Sequence, residues 1–393
     1  MKGNALVAQT GGPTAVINAS LAGIVSQCHR EPNVPRVFGC RWGMLGLMEE
    51  NFVDMTEMNE VRLDLLKWTP SSALGSSRYK LSAKDMPRVL EVMKKHDIRY
   101  FFGIGGNDTM LNVYQIEKYC REQGYEFFGM GCPKTVDNDL FGTDHTPGFP
   151  SAARFVALSV MQAGILARDM QKVDQFVVYQ TIGRDAGWLA AAAVAWKKND
   201  ADPPHIVLLP EVPFEDEKFL AAVETAYKKF GFVSVICGEG IVYADGTPVS
   251  ASKVKDNFSN IEFGAMGGTS AAMHLHRMIA DKFGFRGEFQ VPESLPMCAM
   301  DRAVKMDVEE AFILGYEAVE RATSGSSGLM TTLVRGEGNV YGISVGTIAL
   351  NEVAAKTKPL PKEFITEDGL MVTDAFKHYI TPLVGEIPDY FHL

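Results

Sequence analysis

Tyr100-Phe101-Phe102-Gly103-Ile104-Gly105-Gly106-Asn107-Asp108-Thr109 passes from an unbroken apolar run, through a pair of glycines, into polar residues that suit the start of a helix. An aromatic and β-branched run without polar alternation predicts a strand buried on both faces. The helix is expected from about residue 108 to 123. The same order occurs upstream, where Leu6-Val7-Ala8-Gln9 reads as a strand, Thr10-Gly11-Gly12-Pro13-Thr14 as a tight turn, and residues 15–26 as a helix. Further strands are expected at 126–130, 176–181, 205–209 and 233–237, and helices at 186–197, 215–230 and 268–283. Buried strands alternating with helices predict an α/β fold of doubly wound parallel sheets. In such sheets ligands sit beyond the carboxyl ends of the strands, where these glycine turns fall.

The chain has 393 residues, enough for two or three domains, and the break Thr146-Pro147-Gly148-Phe149-Pro150 is the best boundary. Residues 1–146 are expected to form a phosphate-donor domain, completed by part of 296–350. Residues 147–295 are expected to form an acceptor domain, completed by 351–393. With 38 Lys and Arg against 48 Asp and Glu, the net charge of -10 offers no basic excess for nucleic acid. No uninterrupted apolar stretch reaches the ~18 residues of a membrane helix, and no leader pattern is evident. The six cysteines form no CxxC pair, so free thiols in a reducing cytoplasm are expected.

Three segments carry chemistry. Gly11 and Gly12 let backbone approach a ligand, and the helix behind them offers free N–H donors to an anion. A turn with no ligand also needs such glycines. Gly105 and Gly106 form a possible phosphate cradle, followed by Asn107, Asp108 and Thr109, which suit Mg²⁺ and phosphate oxygens. Asp108 and Thr109 also suit a helix N-cap. The third segment, Gly131-Cys132-Pro133-Lys134-Thr135-Val136-Asp137-Asn138-Asp139, is the strongest. Lys134 is a point charge for phosphate. Asp137 and Asp139 lie two apart, so an extended segment would turn both carboxylates to one side. One could then accept a hydroxyl proton while the other holds the metal.

Together with Gly183-Arg184-Asp185-Ala186-Gly187-Trp188, Leu209-Pro210-Glu211 and Gly238-Glu239-Gly240-Ile241, these segments resemble the phosphofructokinase family, and its pyrophosphate-dependent branch in particular. The resemblance runs in order over nearly the whole chain. It implies two α/β domains with the active site in the cleft between them, and a reversible Mg²⁺-dependent transfer from pyrophosphate to O1 of fructose 6-phosphate. It implies catalytic roles for Asp137 (the base), Asp139, Lys134 and Arg184. It implies donor contacts from Gly11, Gly12, Arg78, Gly105, Gly106, Asp108 and Thr109, and metal contacts from Asn107, Asp108 and Asp139. Acceptor contacts are implied for Thr135, Gly183, Glu239, Gln175 and Arg286. A cytoplasmic homodimer or homotetramer is expected, with no nucleic-acid or membrane partner.

Donor choice has a physical reading. In the ATP-using branch the positions of Asp108 and Lys134 are both glycine; here both carry side chains that crowd a nucleotide and suit the smaller pyrophosphate. The acceptor side departs from the family, with Gln175, Ile182 and Met297 at positions where relatives carry Arg or Lys, Met, and Arg. Losing cations at a dianion site predicts weak use of fructose 6-phosphate unless Arg286 or Arg302 takes their place. Another ketose, sugar phosphate or polyol is therefore the alternative acceptor, and a non-catalytic regulatory paralogue is a second alternative.

Overall fold

The computed structural model describes residues 1–77, 79–250, 268–338 and 340–390. The chain divides into two compact units, one of Met1–Ser151 with Met297–Lys358, the other of Ala152–Pro296 with Pro359–Leu393.

The first unit is built on seven strands: β1 (Asn4–Gln9), β2 (Val37–Cys40), β3 (Phe52–Asp54), β4 (Ile98–Gly105), β5 (Phe128–Pro133), β10 (Leu329–Arg335) and β11 (Ile343–Ala349). They are ordered β11-β10-β5-β4-β1-β2-β3. The five central strands are parallel, and only the edge strands β3 and β11 are antiparallel. Alternate residues feed opposite cores. Leu6, Ala8 and Phe101 join one cluster, while Ala5, Val7, Tyr100 and Phe102 join the other. Both faces being covered is why these strands read as continuous apolar runs. The helices Ile17–Cys28 and Lys305–Thr323 cross at two glycines. A Cβ on Gly23 would lie 2.0 Å from the Phe312 carbonyl oxygen, and one on Gly315 2.2 Å from that of Ser20.

The second unit holds β6 (Phe176–Thr181), β7 (Ile206–Leu208), β8 (Val233–Gly238) and β9 (Gly287–Gln290), all parallel in the order β7-β8-β6-β9. The helices Asp216–Phe230 and Ala271–Phe283 cover its core through Phe219, Val223, Leu275 and Ile279.

Some elements differ from the sequence reading. The strand expected at 126–130 is β5, shifted so that Gly131, Cys132 and Pro133 lie inside it. The helix expected over 186–197 is split into Trp188–Ala192 and a 3-10 turn at Ala193–Trp196. Strands β2, β3, β9, β10 and β11 carry no clear strand signal in the sequence; they are short or, like β10, carry polar residues such as Thr331 and Thr332. The helix Phe149–Asp169 is long and apolar enough to cross a membrane by length and composition, yet it holds no uninterrupted apolar stretch of ~18 residues, as the sequence reading expects. Arg154 interrupts its apolar run, and 67% of its most apolar window is buried inside the protein.

Candidate active site

Parallel pairing sets the first site. Gln9 lies beside Ile104, and Gly105 beside Pro133, so the carboxyl ends of β1, β4 and β5 fall next to one another. The turns that follow are stitched together. The Thr10 N–H donates to Ile104 O at 3.0 Å, and the Lys134 N–H to Gly105 O at 2.9 Å. The hydroxyls of Thr10 and Thr109 hydrogen-bond to each other. A Cβ on Gly105 would stand 1.9 Å from Thr109 Oγ1, so glycine is required for this close approach.

Gly106 caps the helix Asn107–Glu122 with no side-chain bond, so neither Asp108 nor Thr109 is the N-cap. That leaves the first-turn N–H groups without a side-chain acceptor, as an anion site needs. Asn107 Oδ1 is buried without a hydrogen-bond partner. Asp108 is exposed, with Oδ2 3.6 Å from Lys80 Nζ. Opposite, Gly11 sits at φ +78°, and Ser76 Oγ donates to its carbonyl at 2.7 Å. Lys134 is 3% exposed and its Nζ donates to Gly12 O. Burial pulls its ammonium down to about 8, partly opposed by the carboxylates of Asp137 and Asp139. Arg78 lies outside the described residues.

The acidic segment follows Lys134. Thr135 Oγ1 accepts from the Asp137 N–H at 3.1 Å. Asn138, between the two aspartates, has φ +56°. The segment is therefore a turn, and strand-like alternation does not set the directions of Asp137 and Asp139. Asn138 is fully buried, and its Oδ1 accepts from the Thr146 N–H at 3.0 Å and from Lys358 Nζ at 3.2 Å. Burial pulls Lys358 down to about 7 against the carboxylates of Asp144 and Asp139. Behind the turn, His145 bridges Asp144 at 2.8 Å and Glu310 at 2.7 Å. Burial works against the imidazolium, but hydrogen bonds to the two carboxylates win and its pKa is raised. The sequence reading missed Lys358 and Lys80, which sit in no glycine or acidic motif and reach the site from other loops, and it gave Ser76, in Gly75-Ser76-Ser77-Arg78, no role of its own.

In the second unit, Gly183 and Arg184 follow β6, and Glu239 follows β8. The Glu239 N–H donates to Thr181 O at 2.9 Å. A Cβ on Gly240 would lie 1.7 Å from Arg184 O, so the two turns pack backbone against backbone. Gly183, Arg184 and Glu239 thus share one sheet edge. Gln175 and Arg286 do not join them. They precede β6 and β9, about 20 Å away at the amino ends of the strands. There Gln175 Oε1 accepts from the Arg286 N–H at 3.1 Å, and the Arg286 guanidinium pairs with Asp174 at 2.9 Å. Met297, which the sequence reading sets on the acceptor side, lies instead in the first unit against the Thr10–Gly12 turn: a Cβ on Gly12 would stand 2.4 Å from Met297 Cε.

The sequence profile of the family described as "Phosphofructokinase" matches residues 4–320. The pyrophosphate–fructose 6-phosphate 1-phosphotransferase of Halomonas elongata is 35% identical, over 97% of this chain and 91% of that protein. The crystal structure of a pyrophosphate-dependent phosphofructokinase from Marinobacter aquaeolei superposes with a TM-score of 0.89 at 34% identity, covering 100% of this chain and 94% of that one. A sulfofructose kinase of Alkalicoccus urumqiensis is 30% identical over 92% of this chain and 91% of its own length.

Proposed function

The chain belongs to the phosphofructokinase family, and from that premise we propose that it moves a phosphoryl group from pyrophosphate to O1 of fructose 6-phosphate. The observation that carries the donor assignment is the filled donor turn, where Lys134 reaches Gly12 and Asp108 projects from the first helical turn. A buried ammonium beside uncapped helix N–H groups matches a compact polyanion. A nucleoside would need the space these side chains take.

In this reading the carboxylate of Asp137 takes the proton of the acceptor hydroxyl, and O1 forms its bond to the terminal phosphorus. The bond from that phosphorus to the bridging oxygen breaks, and inorganic phosphate leaves. Lys134 and the amides of Gly11, Gly12, Gly105 and Gly106 hold charge on the donor, Thr109 braces the turn, and Arg184 stabilises the transferring group. Thr135, Gly183 and Glu239 hold the acceptor.

The residues fit Mg²⁺. Among the described residues no group of three or more His, Cys, Asp or Glu gathers into a metal cage. Mg²⁺ needs only one or two carboxylates besides phosphate and water, and the unpartnered Asn107 Oδ1 supplies a further oxygen. Asn107, Asp108 and Asp139 would hold the ion, whose chemistry is to neutralise charge on the phosphates.

Gln175 and Arg286, at the far end of β6 and β9, serve an acceptor bound by a second copy of the chain, which makes the working enzyme a homo-oligomer. The buried thiols of Cys28, Cys40, Cys120, Cys132 and Cys237 suit the cytoplasm.

A second reading rests on the same departures. Gln175 carries no charge and the Arg286 guanidinium is shared with Asp174, so a far end with less charge than a phosphate dianion, such as a sulfonate, also fits. The test is kcat/KM with pyrophosphate or ATP across fructose 6-phosphate, a 6-sulfonated fructose, and neutral ketoses and polyols. Preference for pyrophosphate and fructose 6-phosphate is expected. Preference for ATP overturns the donor assignment, and a fructose 6-phosphate KM well above millimolar beside an efficient sulfonate transfers the acceptor assignment to the second reading.

A further inference from the structure

We propose that Lys358 is a positioning residue that holds the Asp137-Asn138-Asp139 turn in its working shape. This rests on the reading of Asp137 and Asp139 as catalytic groups. Lys358 is the last residue of the first unit and reaches the turn from a distant part of the chain. Its backbone N–H donates to Asp139 O at 2.8 Å, next to the bridge between Thr357 and Leu140. Its Nζ donates to Asn138 Oδ1 at 3.2 Å, Thr143 O at 3.0 Å and Asp144 O at 2.8 Å. Three acceptors around one nitrogen use all three N–H bonds of an ammonium.

The turn needs such a clamp. Asn138 adopts a left-handed conformation, which asparagine tolerates better than other residues with a Cβ but which still needs its surroundings to hold it. Its side-chain oxygen is gripped from both sides, by Lys358 Nζ and the Thr146 N–H. The far anchor of Lys358 is itself rigid. Asp144 is bound by both the Arg335 guanidinium and His145, and His145 is tied through Glu310 to Tyr341. Lys358 therefore links a braced scaffold to the one segment whose carboxylates must meet the substrate. Without the ammonium, three carbonyl-type acceptors lose a buried donor, and the turn relaxes toward shapes that misdirect Asp137 and Asp139.

The experiment measures kcat, both KM values and melting temperature for Lys358→Met, Asn138→Ala, their double variant, Asp137→Asn, and Glu50→Gln. Glu50 is a partly buried carboxylate of the same unit whose partners are Arg88, Lys95 and His96, and it serves as the stability control. Lys358→Met is expected to lower kcat roughly 10- to 100-fold with both KM values within about threefold, because misplacement by about 1 Å costs on this order. Its effect on kcat should overlap with that of Asn138→Ala, so that the double variant loses less than the product of the two. Glu50→Gln should lower the melting temperature without changing kcat. Lys358→Met with kcat within about twofold of the parent, or with its loss confined to KM, overturns the proposal. If Lys358→Met does not fold, Lys358→Gln keeps two N–H donors and is read by the same split. Normal kcat in Asp137→Asn would overturn the assignment of the base instead, leaving the Lys358 result to stand separately.

Discussion

Lys134 shows what one residue contributes beyond its formal charge. Its type marks it as a phosphate cation, but its burial beside Gly12 is what makes that charge titratable. Because burial lowers the pKa to about 8, the free enzyme loses this cation as pH rises through that value. We expect kcat/KM for pyrophosphate to fall about tenfold per pH unit above the transition, and Lys134→Met to be low and flat across it. A wild-type profile level to pH 10 would remove Lys134 from donor binding. Asp137 makes a different demand under the proposed mechanism, in which its carboxylate takes the proton. Asp137→Asn should lose roughly 10²–10⁴ in kcat while KM for pyrophosphate stays nearly constant. Steady-state kinetics decides this, and an equal loss in KM would reassign the residue to binding.

Among the elements, the ends of strands matter more than their middles. Apolar runs made β1, β4, β6 and β8 legible because both faces of each are buried. Where each strand stopped was less legible: β5 continues through Pro133, which has no N–H to give and needs none at the last ladder position. These ends bring two turns of the second unit together at Gly240. Alanine there would meet the backbone of Arg184 at 1.7 Å, a contact no side-chain rotation relieves. Gly240→Ala should destabilise by about 1–3 kcal/mol and raise KM for the acceptor, with KM for pyrophosphate unchanged. Chemical denaturation and acceptor titration measure the two effects. Gly246→Ala is the contrast, since a Cβ there meets nothing within 4 Å, although its φ of +81° still disfavours alanine.

For the molecule as a whole, the strongest expectation concerns copies of the chain acting together. Gln175 and Arg286 sit a strand's length from Arg184 and Glu239, so one chain cannot use all four on one acceptor. Asp137→Asn and the Gln175→Ala/Arg286→Ala double variant should each be weak alone. Co-expressed as hybrids they should recover roughly a quarter of parental activity, the share expected for randomly mixed dimers with one complete site in each hybrid. Recovery no greater than the mean of the two variants would mean that these residues do not act across subunits. The sequence by itself determined the α/β class, the glycine turns, the acidic segment and the family. Each of these is written in contiguous residues, where local propensity and spacing suffice. Tertiary structure decided what depends on distant parts of the chain. It placed Lys358 on the Asp137–Asp139 turn and set Asn138 in a left-handed conformation that breaks the alternation the spacing suggested. It brought Met297 against Gly12 and separated Gln175 from Arg184 along a single strand. Such relations are fixed by packing and by hydrogen bonds between residues far apart in the chain, and no local pattern records them.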